Sequence, residues 1–261
     1  GAWIFTSATL AVNDDFSHFT QRLGLEPKKQ FTLPSPFDYQ TQALLCVPRF
    51  LPEPNSYGIA EKLVELLQPV IKQNNGRCFF LCTSHQMMRD LAEKFRETLD
   101  LPVLVQGETT KQQLLSEFME LGNALLVATG AFWEGIDVRG DALSCVIIDK
   151  LPFTAPDDPL LKARIEDCQL SGGDAFSQVQ IPDAVITLKQ GVGRLIRDTK
   201  DKGVLVICDN RLVTRPYGST FLQSLPPIPR TRDLRNVSEF LAKANQSNEN
   251  ESEKQEAILE N

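Results

Sequence analysis

The stretch Cys78–Phe95, CFFLCTSHQMMRDLAEKF, contains two kinds of apolar pattern. Its first five residues form a continuous apolar run, which is typical of a strand buried on both faces of a parallel sheet. Ser84 then supplies an N-cap for a helix whose apolar residues recur at helical spacing: Met87, Met88, Leu91 and Phe95. The stretch therefore predicts a strand followed by an amphipathic helix.

The same alternation extends along most of the chain. Strands are predicted at Ala2–Thr6, Ala43–Val47, Cys78–Cys82, Val103–Val105, Ala124–Ala128, Ser144–Ile148 and Val204–Ile207. Further helices are predicted at Ile59–Val70, at Leu114–Phe118 and over Ile181–Arg197. This order predicts an α/β fold with a largely parallel sheet, helices on both faces, a helical insertion at Leu160–Ile181 and a C-terminal tail.

The composition is that of a globular protein. Of the 261 residues, 42% are apolar and 23% are charged, which excludes wholesale disorder. No apolar run reaches the ~18 residues that a membrane span needs. The formal net charge is −7, but the tail from Gln246 to Asn261 holds five glutamates against Lys254 alone. The net charge therefore neither indicates nor excludes contact between DNA and the body of the chain.

The N-terminus and the cysteines indicate the cellular setting. The start, GAWIFTSATL, lacks the features of a signal peptide and begins as abruptly as a cut through a larger protein. Six cysteines lie scattered, mostly in apolar runs, so we expect buried thiols and a reducing, cytoplasmic setting. Cys78, Cys82 and His85 are candidate metal ligands without an evident fourth member, and no metal site is predicted.

Familiar catalytic motifs are absent from the sequence. It contains no G-x-x-x-x-G-K-[ST] phosphate loop, no H-E-x-x-H and no G-x-S-x-G. Its two histidines, His18 and His85, stand beside no obvious nucleophile, and we interpret both as surface or cap residues. A self-contained hydrolase of the usual kinds is therefore not expected.

A Gly-rich turn, TGAFWEGIDVRG over Thr129–Gly140, follows the predicted strand Ala124–Ala128. The carboxyl end of a parallel strand is where α/β folds bind ligands. Glu134 and Asp137 are candidate ligand-binding acids, and Trp133 offers a flat face to a base or a sugar. The alternative, which composition leaves equally open, is a tight turn whose aromatic residues fill the core.

The second distinctive stretch is QGVGRLIR, over Gln190–Arg197. Arg194 and Arg197 are three residues apart and would share one face of a helix. Two planar guanidinium groups on one face suit a polyphosphate. Gly191 and Gly193, each costing a helix ~1 kcal/mol, indicate close approach of a ligand or another backbone. The alternative is an exposed basic helix that pairs with nearby aspartates.

Taken in order, these motifs resemble those of a helicase family. TSATL at Thr6–Leu10 resembles helicase motif III, and FFLCTSHQMM at Phe79–Met88 resembles motif IV. ATGAFWEGIDVRG at Ala128–Gly140 resembles motif V, and QGVGRLIRDTKDKGVLVICDNR at Gln190–Arg211 resembles motif VI. The sequences of these motifs are similar to those of superfamily 2 helicases of the XPD/DinG type, and the resemblance covers about Gly1–Leu225.

The resemblance implies an ATP-dependent 5′-to-3′ DNA helicase with two RecA-like motor domains, acting as a monomer on single-stranded or forked DNA. It implies that a first motor, not contained in this sequence, carries the phosphate loop, the Mg²⁺ site and a 4Fe–4S cluster held by four cysteines. The cysteines here do not match that grouped pattern, so no cluster is expected in this chain. We then expect the end of the first motor and a connector at residues 1–40, the second RecA-like motor at 41–227, and a partner-binding or partly disordered tail at 228–261.

The resemblance also assigns residues to the nucleotide site. Gln190, Arg194 and Arg197 match motif VI, whose arginines reach the ATP phosphates and stabilise charge on the transferred phosphoryl group. Four further positions complete the predicted nucleotide site: Gly193, Glu134, Gly135 and Asp137.

The remaining assigned positions concern DNA or the coupling of DNA to the nucleotide. Ser7 and Thr9 match motif III, a coupling element. Thr83 and Ser84 match the end of motif IV, where backbone and hydroxyl donors hold a DNA phosphate. Two motif V residues, Gly130 and Trp133, complete the set. Trp133 either stacks on DNA or packs beneath the motif.

The segment Pro226–Phe240 combines rigid prolines with a basic cluster that includes Arg230. Its composition leaves two alternatives, a solvated exit that packs on its own domain and a docking site for another protein. Some helicases of this family partner the chi subunit of the replicative DNA polymerase. The resemblance therefore implies Arg230 and Thr231 as contacts for chi or an equivalent protein.

Two other classes of protein remain as alternatives. One is a non-catalytic RecA-like scaffold for protein interaction, against which the presence of Glu134, Arg194 and Arg197 counts. The other is a nucleotide-dependent sugar transferase, which would need ribose contacts that QGVGRLIR does not supply. A phosphate loop and four grouped cysteines upstream in the parent gene would distinguish the helicase from both.

Overall fold

The computed structural model describes residues 3–7, 9–133, 138, 142–193, 195–196 and 198–259, and the side chains of 131, 133 and 247–259 lie outside this description. Its strands are β1 (Ala43–Cys46), β2 (Cys78–Cys82), β3 (Val103–Val105), β4 (Leu125–Thr129), β5 (Cys145–Ile148), β6 (Gly203–Ile207) and β7 (Arg230–Thr231). Its α-helices are α1 (Ser17–Arg22), α2 (Tyr39–Gln42), α3 (Ile59–Gln73), α4 (His85–Thr98), α5 (Lys111–Leu121), α6 (Pro159–Leu170), α7 (Ile181–Val192), α8 (Arg211–Thr214), α9 (Gly218–Ser224) and α10 (Leu234–Leu259).

The strands form one parallel sheet in the order β3-β4-β2-β5-β6-β1-β7. In this sheet Cys78 of β2 pairs with Leu125 of β4 on one side and with Cys145 of β5 on the other. Every residue of β2, β4, β5 and β6 is buried, as in a parallel sheet covered on both faces. Because the strands are parallel, they all end at one edge of the sheet, which we call the carboxyl edge.

Two neighbouring phenylalanines of β2 show how the sheet is covered. Successive residues of a strand point to opposite faces, so Phe79 and Phe80 contact different helices. The ring centroid of Phe79 lies 4.8 Å from that of Phe118 in α5, and the centroid of Phe80 lies 5.7 Å from that of Phe95 in α4. All four side chains are fully buried. Helices therefore cover both faces, and the predicted α/β fold is confirmed.

The chain divides into two compact units. The sheet unit comprises residues 37–150, 194–210 and 228–261, and the helical unit comprises residues 1–36, 151–193 and 211–227. These compact units cut across the predicted ranges 1–40, 41–227 and 228–261. In particular, the predicted helical insertion belongs to the helical unit, and the start of the predicted tail belongs to the sheet unit. The functional division into first motor, second motor and tail stays a prediction.

One carboxylate joins three helices of the helical unit. Asp183 of α7 lies 2.9 Å from Nε2 of His18 in α1 and forms an ion pair with Arg164 of α6. Burial opposes the ionisation of Asp183, but hydrogen bonds from His18 and Arg164 outweigh it and lower the pKa of this carboxyl below its ordinary value. His18 is therefore the partner of a half-buried carboxylate, not the surface or cap residue that we expected.

Most of the predicted strands are confirmed to within a residue at each end, but the strand at Ala2–Thr6 is wrong. Residues 3–6 form no strand, and Trp3 and Ile4 are 87% and 85% exposed. β7 was not predicted, because two residues give no apolar pattern. The expected tail begins as part of the sheet, and α10 buries Val237 and Leu241. Each described helix is too short or too polar to cross a lipid bilayer.

Replacing Gly76 by alanine should lower the free energy of unfolding by more than about 2 kcal/mol. Gly76 has a φ of +70°, and an added Cβ would lie 2.5 Å from the carbonyl oxygen of Asn123. The matched control is Gly122→Ala, because Gly122 has a φ of +64° but nothing within 4 Å of its added Cβ. The control should lose only ~1 kcal/mol. Equal losses in denaturant unfolding would contradict the importance of the contact with Asn123.

Candidate functional site

The candidate site lies at the carboxyl edge of the sheet unit, where parallel α/β sheets commonly bind ligands. Thr83 and Ser84 follow β2, Gly130 follows β4, and Asp149 follows β5. β2 lies between β4 and β5 in the sheet. The topology therefore brings three of the predicted site residues, Thr83, Ser84 and Gly130, to the same edge.

Asp149 organises the centre of this edge. Its Oδ1 accepts hydrogen bonds from the backbone N–H of Thr83 at 3.0 Å and of Lys150 at 2.8 Å. Its Oδ2 accepts a bond from the hydroxyl of Thr83 at 3.1 Å. Only 2% of Asp149 is exposed, and this burial raises its pKa to about 6, against the lowering effects of Lys150 and of the bonds from Thr83. Asp149 therefore fixes the backbone that leads from β2 into α4.

Ser84 forms the N-cap of α4, as the sequence predicts. Its Oγ accepts a hydrogen bond from the backbone N–H of Met87 at 3.2 Å, and the residue is exposed. The N-terminal turn of a helix has backbone N–H groups without intrahelical partners and a positive dipole end. α4 therefore begins at the carboxyl edge with a feature that favours anions, adjacent to Thr83.

A second contact fixes the start of the Gly-rich turn. The side-chain oxygen of Gln106 accepts hydrogen bonds from the backbone N–H of Thr129 at 2.7 Å and from its hydroxyl at 3.0 Å. A 3₁₀ turn then runs from Gly130 to Trp133, and Phe132 is buried. For Phe132, the alternative that an aromatic residue fills the core is therefore correct. An added Cβ at Gly130 would meet nothing within 4 Å, so no close contact requires glycine there.

Several predicted residues lie outside the described residues. They comprise three motif V positions, both motif VI arginines and the side chain of the motif V tryptophan: Glu134, Gly135, Asp137, Arg194, Arg197 and Trp133. The helix predicted over Ile181–Arg197 ends at Val192, and the prediction that the two arginines share one helical face lies outside the described residues. Glycines disfavour a helix interior, and the C-cap of α7 is Gly193.

The helical unit holds four more of the predicted residues. Gln190 is exposed in the last turn of α7, and Gly193 is exposed just beyond it. Ser7 and Thr9 are close to each other, with hydroxyl oxygens 3.3 Å apart, and the backbone N–H of Thr9 donates to Oγ of Ser7. Lys189 of α7 donates a hydrogen bond to the carbonyl oxygen of Ala11 at 2.8 Å. This bond ties the last turn of α7 to the segment that follows Thr9.

The cysteines do not fit an iron–sulfur cluster or another thiolate site. Five of the six are buried, and only Cys168 is partly exposed. Burial raises the pKa of Cys46 to about 12 and raises the pKa of Cys82 and of Cys208 well above the ordinary value. Metal binding requires the thiolate, which this environment disfavours. The five buried thiols therefore act as small apolar core groups.

The two residues predicted to bind a partner form β7. Arg230 is exposed, and β7 pairs with β1 through Leu45 and Cys46, which makes it the outer strand on this side of the described sheet. Thr231 is half-buried, and its hydroxyl oxygen accepts hydrogen bonds from the side chain of Asn236 at 2.8 Å and the backbone N–H of Asp233 at 3.1 Å. Arg230 therefore presents its side chain at an ordered sheet edge.

Sequence reasoning missed Asp149 and Gln106, which hold the two loops of the carboxyl edge. The signal for Asp149 was present, because an acidic residue that directly follows the apolar run SCVII must lie at the end of a buried strand. Gln106 similarly follows the short strand β3. The alignment of β3 beside β4, which brings Gln106 to Thr129, is a tertiary feature that local sequence does not contain.

Replacing Asp149 by asparagine should stabilise the protein at neutral pH by up to about 3 kcal/mol and give no gain near pH 4. The raised pKa means that folded Asp149 keeps its proton between about pH 4 and 6, whereas the unfolded chain releases it. The contribution of Asp149 to stability therefore falls as pH rises through this window. Asparagine keeps the acceptor for Thr83 and Lys150 without the charge. Urea unfolding at both pH values tests this, and a pH-independent difference would contradict it.

Comparison with known proteins identifies the family. Residues 67–228 match the family model of the helicase C-terminal domain. The chain is 71% identical to the ATP-dependent DNA helicase YoaA of Escherichia coli K12, over 93% of the chain and 38% of that relative. It is 36% identical to the ATP-dependent helicase DinG of Mycobacterium tuberculosis H37Ra, over 90% of the chain and 36% of that relative. The solved structure described as XPD_APO has a TM-score of 0.58 at 20% identity, over 75% of the chain and 40% of that structure, which shows a similar fold.

The chain thus spans less than two fifths of the length of these two curated relatives. The matched range 67–228 contains the carboxyl-edge residues Thr83, Ser84 and Asp149, together with TGAFWEGIDVRG and QGVGRLIR. The family match covers more than half of the chain, and the two relatives agree with it. The chain therefore belongs to the helicase C-terminal domain family, and its curated relatives agree with the resemblance to helicases of the XPD/DinG type.

Proposed function

We propose that this chain is the second motor domain of an ATP-dependent DNA helicase that unwinds DNA in the 5′-to-3′ direction in replication or repair. The observation that carries the proposal is the family match over residues 67–228, because this range contains the carboxyl-edge residues and both arginines of motif VI. The sequence has no phosphate loop. In this proposal a first motor supplies the phosphate loop and the Mg²⁺ ligands, and this chain completes the nucleotide site.

The residues around the end of α7 fit the phosphate groups of ATP in their chemistry. Gln190 and Gly193 are exposed, and an added Cβ at Gly193 would meet only α7 carbonyl oxygens at 3.4 Å or more. Arg194 and Arg197 follow, and their planar guanidinium groups match phosphate oxygens. Bound ATP with Mg²⁺ would supply the phosphoryl group that passes to water. The role of the two arginines is to neutralise the charge that develops during this transfer, as arginine fingers.

The carboxyl edge is the proposed half-groove for single-stranded DNA. Thr83 and Ser84 would hold a DNA phosphate together with the first backbone N–H groups of α4, a helix of 14 residues. Asp149 is the positioning residue, because it holds both the backbone and the hydroxyl of Thr83. Contacts of this kind carry no base specificity, which suits a motor that moves along any sequence.

Motifs III and V are proposed to couple the nucleotide to DNA. The bond from Lys189 to Ala11 supports this role for Ser7 and Thr9, because it links their segment to the helical turn that contains Gln190. In motif V, the residues that would respond to whether ATP or its hydrolysis product is bound are Glu134, Gly135 and Asp137. Two other motif V residues would carry the change to DNA: Gly130 and Trp133.

The proposal includes a partner, a setting and a cofactor of the parent protein. Arg230 and Thr231 would dock the chi subunit or an equivalent replisome protein at the exposed edge of β7. A pull-down tests this with Arg230→Ala, which should lose chi, and with Arg235→Ala as the control, since Arg235 is an exposed arginine paired with Asp233. Equal retention of chi by both variants would contradict the docking site.

The helicase would act in the cytoplasm as a monomeric motor, with any 4Fe–4S cluster held by its first motor.

The experiment that tests the proposed function is strand displacement by the full-length protein. Duplex DNA with a 5′ single-stranded overhang should be unwound in the presence of ATP and Mg²⁺, and duplex with a 3′ overhang should not. Displacement from the 3′ overhang alone would contradict the polarity. Binding of single-stranded DNA without ATP-dependent displacement from either substrate would favour the non-catalytic scaffold.

A further inference from the structure

The loop between β1 and α3 presents two large aromatic side chains to solvent. It covers residues 47–58, VPRFLPEPNSYG, and we call it the β1–α3 loop. Phe50 is 94% exposed and Tyr57 is fully exposed. Neither ring contacts another aromatic ring in the described part of the chain. The core therefore does not account for these two residues.

The backbone of the loop directs Phe50 outward. Phe50 has a φ of +61°, a left-handed conformation that is rare for a bulky residue and costs about 1–2 kcal/mol. Leu51, the next residue, is buried and anchors the loop in the core. Three prolines restrict the same stretch and reduce the freedom that binding would otherwise remove: Pro48, Pro52 and Pro54. The ring of Phe50 is thus exposed on a stiff backbone.

The first part of the loop is fixed to the sheet. The backbone N–H of Arg49 donates to the carbonyl oxygen of Arg232 at 3.1 Å. The guanidinium of Arg232 donates in return to the carbonyl oxygens of Val47 at 2.9 Å and Pro48 at 3.3 Å. The loop therefore continues the β1–β7 edge, with basic side chains at its base.

The second part of the loop is connected to the proposed DNA phosphate site. Lys150 Nζ donates to Oδ1 of Asn55 at 2.5 Å, and the backbone N–H of Lys150 donates to Asp149 at 2.8 Å. Asp149 in turn holds Thr83. A continuous series of contacts within the sheet unit therefore runs from Thr83 to the β1–α3 loop.

We propose that Phe50 and Tyr57 form a base-stacking platform for single-stranded DNA bound along the carboxyl edge, an inference that rests on the proposed function. Exposed aromatic rings beside basic groups are the usual means of holding a single strand without sequence readout. Arg49 is exposed, and Lys150 lies between the loop and Asp149. Arg49 and Lys150 would accompany the phosphate backbone while the rings contact bases. Aromatic residues also anchor protein interfaces, but the connection to Thr83 favours the nucleic acid.

The test compares a strand that has bases with one that lacks them, using the full-length protein. Phe50→Ala/Tyr57→Ala should weaken binding to oligothymidine by about 5- to 100-fold and leave binding to an abasic strand of equal length nearly unchanged. Phe50→Leu keeps apolar surface without a ring and should also weaken oligothymidine binding. Phe50→Trp should keep the affinity. Phe31→Ala is the control, because Phe31 is another exposed aromatic residue, 74% exposed, in the helical unit.

The outcomes separate this inference from the proposed function. A wild-type protein that binds neither strand would remove the proposed function and this inference with it. Tight wild-type binding that the double variant retains would overturn the platform alone. Equal losses on the two strands would also overturn it, since the rings would then not contact bases. If the double variant kept its affinity for oligothymidine but had a lower Tm, the two rings would instead stabilise the full-length protein through a contact within it, and the platform would be overturned.

Discussion

Replacing both Arg194 and Arg197 by alanine in the full-length protein is expected to lower DNA-stimulated ATP hydrolysis by about 10³- to 10⁵-fold. The reason is that a guanidinium placed at the transferred phosphoryl group stabilises charge that exists mainly in the transition state. Binding of single-stranded DNA should persist, because the proposed contacts at Thr83 and Ser84 lie on other elements.

Two further variants make this prediction specific. Lys72→Ala removes one positive charge at the exposed end of α3, away from the carboxyl edge, and should leave hydrolysis near normal. Arg194→Lys and Arg197→Lys keep the charge but lose the planar fork, so each should recover only a small part of the activity. Near-normal turnover by the double alanine variant, measured as phosphate release with saturating single-stranded DNA, would remove these residues from the nucleotide site.

Replacing Phe95 by alanine is expected to lower the free energy of unfolding by about 3–5 kcal/mol. Its ring is fully buried beneath α4 and lies 5.7 Å from the ring of Phe80, so truncation leaves a cavity between the helix and the sheet. Phe95→Leu retains most of the apolar volume and should cost less than about 1.5 kcal/mol. Denaturant unfolding of the two variants provides the comparison.

The same substitution also tests how α4 supports the site. Because Ser84 caps α4, a loosened helix should weaken single-stranded DNA binding by the full-length protein, more so for Phe95→Ala than for Phe95→Leu. Equal stabilities of the two variants would contradict the packing of α4 on β2 through this ring.

The architecture was predictable because buried parallel strands carry a strong local signal. β2 and β3 have the predicted bounds, since each is an uninterrupted apolar run followed by turn or capping residues. Ser84 caps α4 through the predicted serine hydroxyl. Prediction failed where an apolar run did not form a strand. The apolar residues at Ala2–Thr6 suggested a strand, but strand formation needs a neighbour, and the described residues provide none there.

The site was predictable only in part. The resemblance named Thr83, Ser84 and Gly130, which the observed strand order brings to one edge, whereas the hydrogen bonds of Asp149 depend on β5 pairing beside β2. α7 ends at Val192 because glycines follow the helical pattern there, and the prediction based on that pattern gave these glycines too little importance. The roles of Arg194, Arg197 and the motif V acids stay predictions that rest on the resemblance.

The measurement that tests the central claim most directly is ATP hydrolysis by this chain alone and by the full-length protein, each with and without single-stranded DNA. The chain alone should hydrolyse ATP at the background rate, because it has no phosphate loop, and the full-length protein should show DNA-stimulated hydrolysis. DNA-stimulated turnover by the chain alone, or a full-length protein that does not respond to DNA, would contradict the assignment as the second motor domain of a DNA helicase.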